Sequence, residues 1–257
     1  MKVTKDIKFN FLNADEQERY QKQLTLKEIG TEGQLRLKNS SVLCIGAGGI
    51  GSSALIYLAA AGIGTIGIVD NDLVSLSNIH RQSLYDVKDL NKSKIKCVKK
   101  KLNKINPKVL VKTFNSKITP INVSKLITQY DIIVDGSDNF KTKLLVNDYS
   151  LKLKKFLVLG AISKLDGHIF TYNFKNKKTP CLRCFFQEDE ISDDILNCEY
   201  DGILGTVAGI VGALQANEVL KHILNIGKNL DSKILILDLL NLNFRKVKII
   251  KQKNCIC

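Results

Sequence analysis

No apolar run in this chain reaches the roughly 18 residues needed to span a membrane. The first ten residues, which include Lys and Asp, lack a secretory h-region. A membrane protein and a secreted one are both disfavoured, and the expectation is a cytoplasmic protein, or a stromal one if the Lys/Asn/Ile bias reflects a plastid gene. No Pro-, Gly- or Ser-rich linker and no internal repeat breaks the chain, so residues 1–257 read as one domain with an N-terminal helical arm over about 14–38. Arginine is scarce: Arg19, Arg36, Arg81, Arg183 and Arg245 stand among 39 basic residues, and lysine supplies most of the +14 charge. In KSKIKCVKKKLNK, Ile95, Val98, Leu102 and Ile105 recur at helical spacing, which puts the lysines on an outer face. No aromatic residues interleave with them as a base-stacking surface requires, so nucleic acid is not the expected partner. An acidic protein surface remains compatible with the charge.

What is present is an alternation of strand and helix. Strands are expected at Val42–Gly46, Thr65–Asp70, Val109–Phe114, Ile132–Asp135 and Phe156–Ala161, and helices at Gly49–Ala61, Asn91–Ile105, Val123–Gln129 and Phe140–Leu153. This order predicts an α/β fold, a doubly wound Rossmann-like and mainly parallel sheet with its ligand at the carboxyl ends of the strands. The second half is more elaborate. His168–Phe174 and the region Ile234–Ile250 read as further strands, separated by a Cys-containing loop and a Gly/Ala-rich helix over about Thr206–Leu224.

Chemistry gathers at three of those strand ends. Gly46, Gly48 and Gly51 in VLCIGAGGIGSS fit the G-x-G-x-x-G spacing, which lets backbone N–H groups approach phosphate oxygens but does not choose between NAD and ATP. After the second strand, DNDLVSLSNIHRQ carries Asp70 and Asp72 for ribose or metal, then Asn78 and Arg81, with Lys94 thirteen residues beyond. An acid pair followed by an amide, a guanidinium and an ammonium suits a triphosphate better than a nicotinamide. After the fourth strand, DGSDN places Asp138 and Asn139 across the crevice, where a carboxylate can hold Mg²⁺. Each of these residues alone reads as an ordinary loop polar group; three charged loops on one sheet edge make coincidence less plausible.

GAGGIG, the DND acids, SLSNIHRQ, GSDN, PCLRC and GTVAGIVGALQANEVLK, in that order from about Asp15 to the last residue, resemble the MoeB/ThiF/HesA family, relatives of the ubiquitin-activating enzymes. The resemblance, closest to the MoeB type, implies an ATP-dependent adenylyltransferase. Such an enzyme activates the C-terminal glycine carboxylate of a small ubiquitin-fold sulfur carrier as an acyl-adenylate and releases pyrophosphate. It further implies Gly49 in the phosphate loop, Asp70 on the ribose, and Asn78, Arg81 and Lys94 on the phosphates, with Ser77, Ile79 and His80 in the same nucleotide-binding loop. Asp138 and Asn139 are implied around the nucleotide and its Mg²⁺. A carboxylate nucleophile is already ionised at neutral pH, so no general base is required, and the three histidines need no catalytic role. No rhodanese-like domain follows the match, so a separate sulfur donor is expected. The alternatives are a ThiF-like enzyme acting on a ThiS-type carrier in thiamine synthesis, a non-catalytic carrier-binding module and, remotely, an NAD-dependent oxidoreductase.

Two departures from the family pattern and one open cysteine follow. In EQERYQKQL the family's second arginine, which reaches the ATP of the neighbouring subunit in a homodimer, is Lys22, so a contact in trans would weaken or shift to Arg19. Cys198, in ILNCEYDGILG, stands where some members carry an acyl acceptor and others need none; both readings stay open. The odd total of seven cysteines, without a secretory signal, argues against a disulfide scaffold. Cys44 and Cys97 read as packing residues. Cys181 and Cys184 in PCLRC, with Cys255 and Cys257 in the terminal NCIC, read as a structural zinc site. The second pair is C-x-C where the family has C-x-x-C, so a decayed site of free thiols is the alternative.

Overall fold

The computed structural model describes residues 9–186, 202–255 and 257. Its centre is an eight-stranded sheet in the order β3-β2-β1-β4-β5-β6-β7-β8. The strands are β1 (Ser41–Ile45), β2 (Thr65–Val69), β3 (Leu110–Phe114), β4 (Ile132–Asp135), β5 (Phe156–Ser163), β6 (Asp166–Asn173), β7 (Lys233–Asp238) and β8 (Asn243–Lys248). Pairing is parallel from β3 across to β5 and antiparallel from β5 to β8. The mainly parallel, doubly wound sheet with an elaborated second half is therefore what the chain forms.

Burial along β1 shows why both faces are covered. Val42 and Cys44 join one core cluster, Leu43 and Ile45 the other, and all four are buried. Successive side chains of a strand point to opposite faces, so a continuous apolar run requires helices on both. The first face takes α4 (Gly49–Ala61), α6 (Lys94–Ile105) and α10 (Gly205–Leu224); the second takes α7 (Val123–Thr128) and α8 (Phe140–Lys152). α4 carries no charged residue because it is enclosed by the sheet and α10.

Three expectations are refined in detail. The arm over 14–38 is three short helices, α1 (Ala14–Arg19), α2 (Gln21–Leu24) and α3 (Gly30–Lys38), and the segment EQERYQKQL breaks at Tyr20. Tyr20 is buried there, and its hydroxyl accepts a 2.8 Å hydrogen bond from the Asn106 amide. The helix expected from Asn91 starts at Lys94, because Asn91 has φ +61° and Ser93 bridges to Leu73. The region Ile234–Ile250 is a hairpin, whose turn uses Leu242 at φ +55°. Ile95, Val98 and Leu102 are buried on α6 as expected, but Lys94 is buried with them.

Candidate active site

The glycine turn after β1 depends on close backbone approach. Gly46 has φ +86°, a conformation that favours glycine, and a Cβ on Gly51 would lie 2.1 Å from the Gly46 carbonyl oxygen. Tyr85 holds the turn from below, its hydroxyl donating to the Ala47 carbonyl at 2.8 Å. Burial pushes the Tyr85 phenol well above its ordinary range, which keeps it a neutral donor. Cys44 lies in the same floor, its thiol raised strongly by burial and donating to the Gly46 carbonyl at 3.4 Å. It is a packing residue.

Above this floor lies a cleft of about 560 Å³ at the carboxyl ends of the parallel strands. Gly49, Asp70, Asp72, Asn78, Arg81, Lys94, Asp138 and Asn139 all line it. The Asp70 carboxylate accepts from Ala47 N–H and Asp72 N–H, each at 2.8 Å, so the second strand end is tied to the glycine turn. Lys94 pairs with Asp72 at 2.8 Å; the lysine side chain is 4% exposed and the acid 57%. Arg81 donates to the Asn78 side-chain oxygen at 2.7 Å, to the Ser77 carbonyl at 3.2 Å and to His80 Nε2 at 2.8 Å. Asn139 caps α8 by accepting Thr142 N–H at 2.9 Å, and its amide lies 3.3 Å from Asp138.

Not every expected residue reaches this cleft. Asn78 and Arg81 are three apart in and beside the single turn α5 (Leu76–Ile79), so they share a face, while Ser77, Ile79 and His80 do not line the cavity. Ile79 packs against the core, and His80 touches the cleft only through Arg81. Lys22 is exposed on α2 and lies outside its own chain's cleft; Arg19 donates to the Ile105 carbonyl at 2.9 Å. Cys198 lies outside the described residues. Conversely, Gln82 and Lys143 line the cleft although neither was singled out. Gln82 is 3% exposed, with its Oε1 lacking a hydrogen-bond partner, and it closes the SLSNIHRQ stretch that could have signalled it.

A second constellation lies where the chain's last residues meet the short helix α9 (Leu182–Phe185). The sulfurs of Cys181, Cys184, Cys255 and Cys257 all lie within 4.8 Å of one another. Cys181 faces Cys255 at 3.4 Å, and Cys184 faces Cys257 at 3.3 Å. Thiolates around a tetrahedral zinc stand roughly 3.8 Å apart, given a Zn–S length of about 2.3 Å. The C-x-C pair therefore still meets the C-x-x-C pair, each terminal cysteine opposite one partner. Burial pushes the Cys181 thiol up to about 11, so its thiolate form calls for a cation beside it.

The model of the ThiF family matches residues 20–257 of this chain. The chain belongs to the ThiF family. Among its relatives are a probable molybdopterin-synthase adenylyltransferase of Porphyra purpurea, 46% identical over 93% of this chain and 62% of that protein. A sulfur carrier protein adenylyltransferase of Thermus thermophilus is 39% identical over 94% and 90% of the two chains. An adenylyltransferase and sulfurtransferase of Aedes aegypti is 41% identical, and this ThiF-family chain spans 55% of its length. Of solved structures, PaaA superposes with a TM-score of 0.80 at 25% identity, covering 96% of this chain and 78% of that one. Escherichia coli MccB with ATP gives a TM-score of 0.81 at 24% identity, over 93% and 73% of the two chains, and shares the fold. Among the described residues, no helix is long and apolar enough to cross a membrane.

Proposed function

We propose that this ThiF-family chain is an ATP-dependent adenylyltransferase that activates the C-terminal carboxylate of a small ubiquitin-fold sulfur carrier. One observation carries the reading: a glycine turn, an acid-anchored second strand end, Arg81, Lys94 and Asp138 converge on a single cleft. The names of the Porphyra and Thermus relatives support the same chemistry. The carrier carboxylate attacks the α-phosphorus of ATP, the bond to the β-phosphate oxygen breaks, and pyrophosphate leaves. The nucleophile is ionised at neutral pH, so the site's work is alignment and charge neutralisation. Arg81 and Lys94 supply that charge, and on ATP binding each exchanges an internal partner, Asn78 or Asp72, for phosphate oxygen. The Asp138 carboxylate is exposed in the cleft and is the hard oxygen donor that Mg²⁺ prefers, so Asp138 would hold the ion, whose positive charge eases departure of pyrophosphate.

In a homodimer the exposed Lys22 of a second copy would approach the triphosphate, with an ammonium in place of a bidentate fork. The four gathered thiols fit structural zinc: four soft donors in one cluster leave no open coordination position. Incubation with MgATP and, separately, a MoaD-like and a ThiS-like carrier tests the function. Mass spectrometry should find AMP added to the MoaD-like carrier. Addition to the ThiS-like carrier alone would move the enzyme to thiamine synthesis, and addition to neither would overturn the reading.

A further inference from the structure

Lys143 lies on the buried face of α8, 3% exposed, and its Nζ donates one hydrogen bond, at 2.7 Å, to the Gly160 carbonyl on β5. An ammonium carries three donors. Asp135, 0% exposed at the end of β4, is 3.7 Å away, beyond hydrogen-bond reach, and its nearer oxygen Oδ2 has no hydrogen-bond partner. The other oxygen accepts Ser137 N–H at 2.9 Å. Nζ thus makes one hydrogen bond and sits beside one incompletely satisfied acid, which leaves capacity for an anionic ligand.

Its position says from which direction that ligand would come. The nucleotide cleft and a second, apolar cavity of about 140 Å³ share Lys143 and Ala161 as walls. The second cavity is otherwise walled by hydrophobic side chains such as Phe140, Phe170, Phe185 and Phe186, with His168 at its side. Burial holds the His168 imidazole below its ordinary value, with Asp166 opposing that shift and Arg245 adding to it, so this side of the cavity is neutral at pH 7. Arg81 and Lys94 come from the segment that follows β2, whereas Lys143 comes from the helix that follows β4. A triphosphate on the glycine turn is served by the first pair, and an anion arriving past the apolar cavity meets Lys143 first.

We propose that Lys143 receives the terminal carboxylate of the carrier as its tail passes from the apolar cavity into the nucleotide cleft. The inference rests on the adenylyltransferase reading above. Lys143 keeps its proton throughout: a carboxylate oxygen forms the new bond to the α-phosphorus, pyrophosphate takes the electron pair of the bond that breaks, and the ammonium only orients the nucleophile. The positive charge engages one carboxylate oxygen and leaves the other free to attack.

The test replaces the buried pair together, because Lys143→Met alone would strand the Asp135 carboxylate. The double variant Asp135→Asn, Lys143→Met should fold and bind ATP as the wild type does, measured by calorimetric titration. Its kcat/KM for the carrier in pyrophosphate exchange should fall by about 10- to 100-fold, mainly through KM. Lys143→Arg, which keeps the charge, should recover most of the loss. If the double variant does not fold, Asp135→Asn combined with Lys143→Gln retains a donor for Gly160 and is read in the same way. Wild-type kcat/KM for the carrier in the variants that remove the charge, or a matching loss of ATP affinity, would overturn the assignment. Wild-type protein that exchanges pyrophosphate with neither carrier would overturn the adenylyltransferase reading itself, so the two failures are separable.

Discussion

The two ends of the sheet solve different problems. At the parallel end, β1, β2 and β4 are almost wholly buried between helices, and polar groups are pushed to the loops at their carboxyl ends. At the antiparallel end, β8 is exposed along its whole length, and the chain's last residues return to α9 through a cluster of cysteines. The parallel end gains stability from enclosed apolar area, so its surface loops are free to carry charge. The antiparallel end has less to bury at its edge, and the proposed zinc on the four gathered thiols would cross-link it. Chemistry and stability should therefore separate along the sheet, and substitutions can test that separation.

The largest effect is expected at the parallel end. Asp138→Ala removes an exposed loop carboxylate without opening a cavity, so the melting temperature should hold within about 2 °C while adenylate formation falls by roughly 100- to 1000-fold. Near-normal exchange in that variant would remove Asp138 from the metal. Arg81→Lys should follow, with a loss of about 10- to 100-fold in kcat/KM for ATP, because an ammonium cannot rebuild the fork. Unchanged kinetics would give Arg81 the structural role its bonds to Asn78, Ser77 and His80 already allow.

At the antiparallel end the balance should invert. Cys181→Ser should lose the zinc found by elemental analysis and lower the melting temperature by about 5 to 15 °C, with the kcat of the folded protein nearly intact. Metal-free wild-type protein with an undiminished melting temperature would break the comparison at its weaker half. The smallest effect concerns His222 on α10, whose ring stacks on Phe156 with centroids 3.6 Å apart. Burial, reinforced by Lys175, holds this histidine below its usual value of about 6.5, so the unfolded chain takes up the proton first and stability falls as the pH drops below that value. His222→Phe should flatten this acid-side decline by a fraction of its depth, read from melting temperatures between pH 7 and pH 5.

The same contrast explains what could be read from the residues alone. The parallel strands are legible because burial on both faces demands unbroken apolar runs, and Ile132–Asp135 falls where expected. The charged loops are legible because strand ends are where a doubly wound sheet puts its ligand. Lys143 is not. In FKTKLLVND it looks like one more lysine on a basic chain, and only the packing of α8 on β5 reveals that Lys143, Asn147 and Ser150 share the buried face with Val146. Within Ser77–Arg81 the residues that line the cleft were equally hidden, since one helical turn decides that Asn78 and Arg81 do so and their three neighbours do not. Tyr20 interrupts the N-terminal helical arm for a tertiary reason, a buried bond to Asn106 some 86 residues away in sequence.

Activation of a carboxylate with ATP is the proposed work of the charged cleft. It is tested most directly by carrier-dependent exchange of labelled pyrophosphate into ATP, run with an intact MoaD-like carrier and with the same carrier lacking its terminal glycine. Rapid exchange is expected with the intact carrier, none with the truncated one and none without Mg²⁺. Exchange that ignores the terminal glycine, or ATP binding with no exchange under either condition, would contradict it.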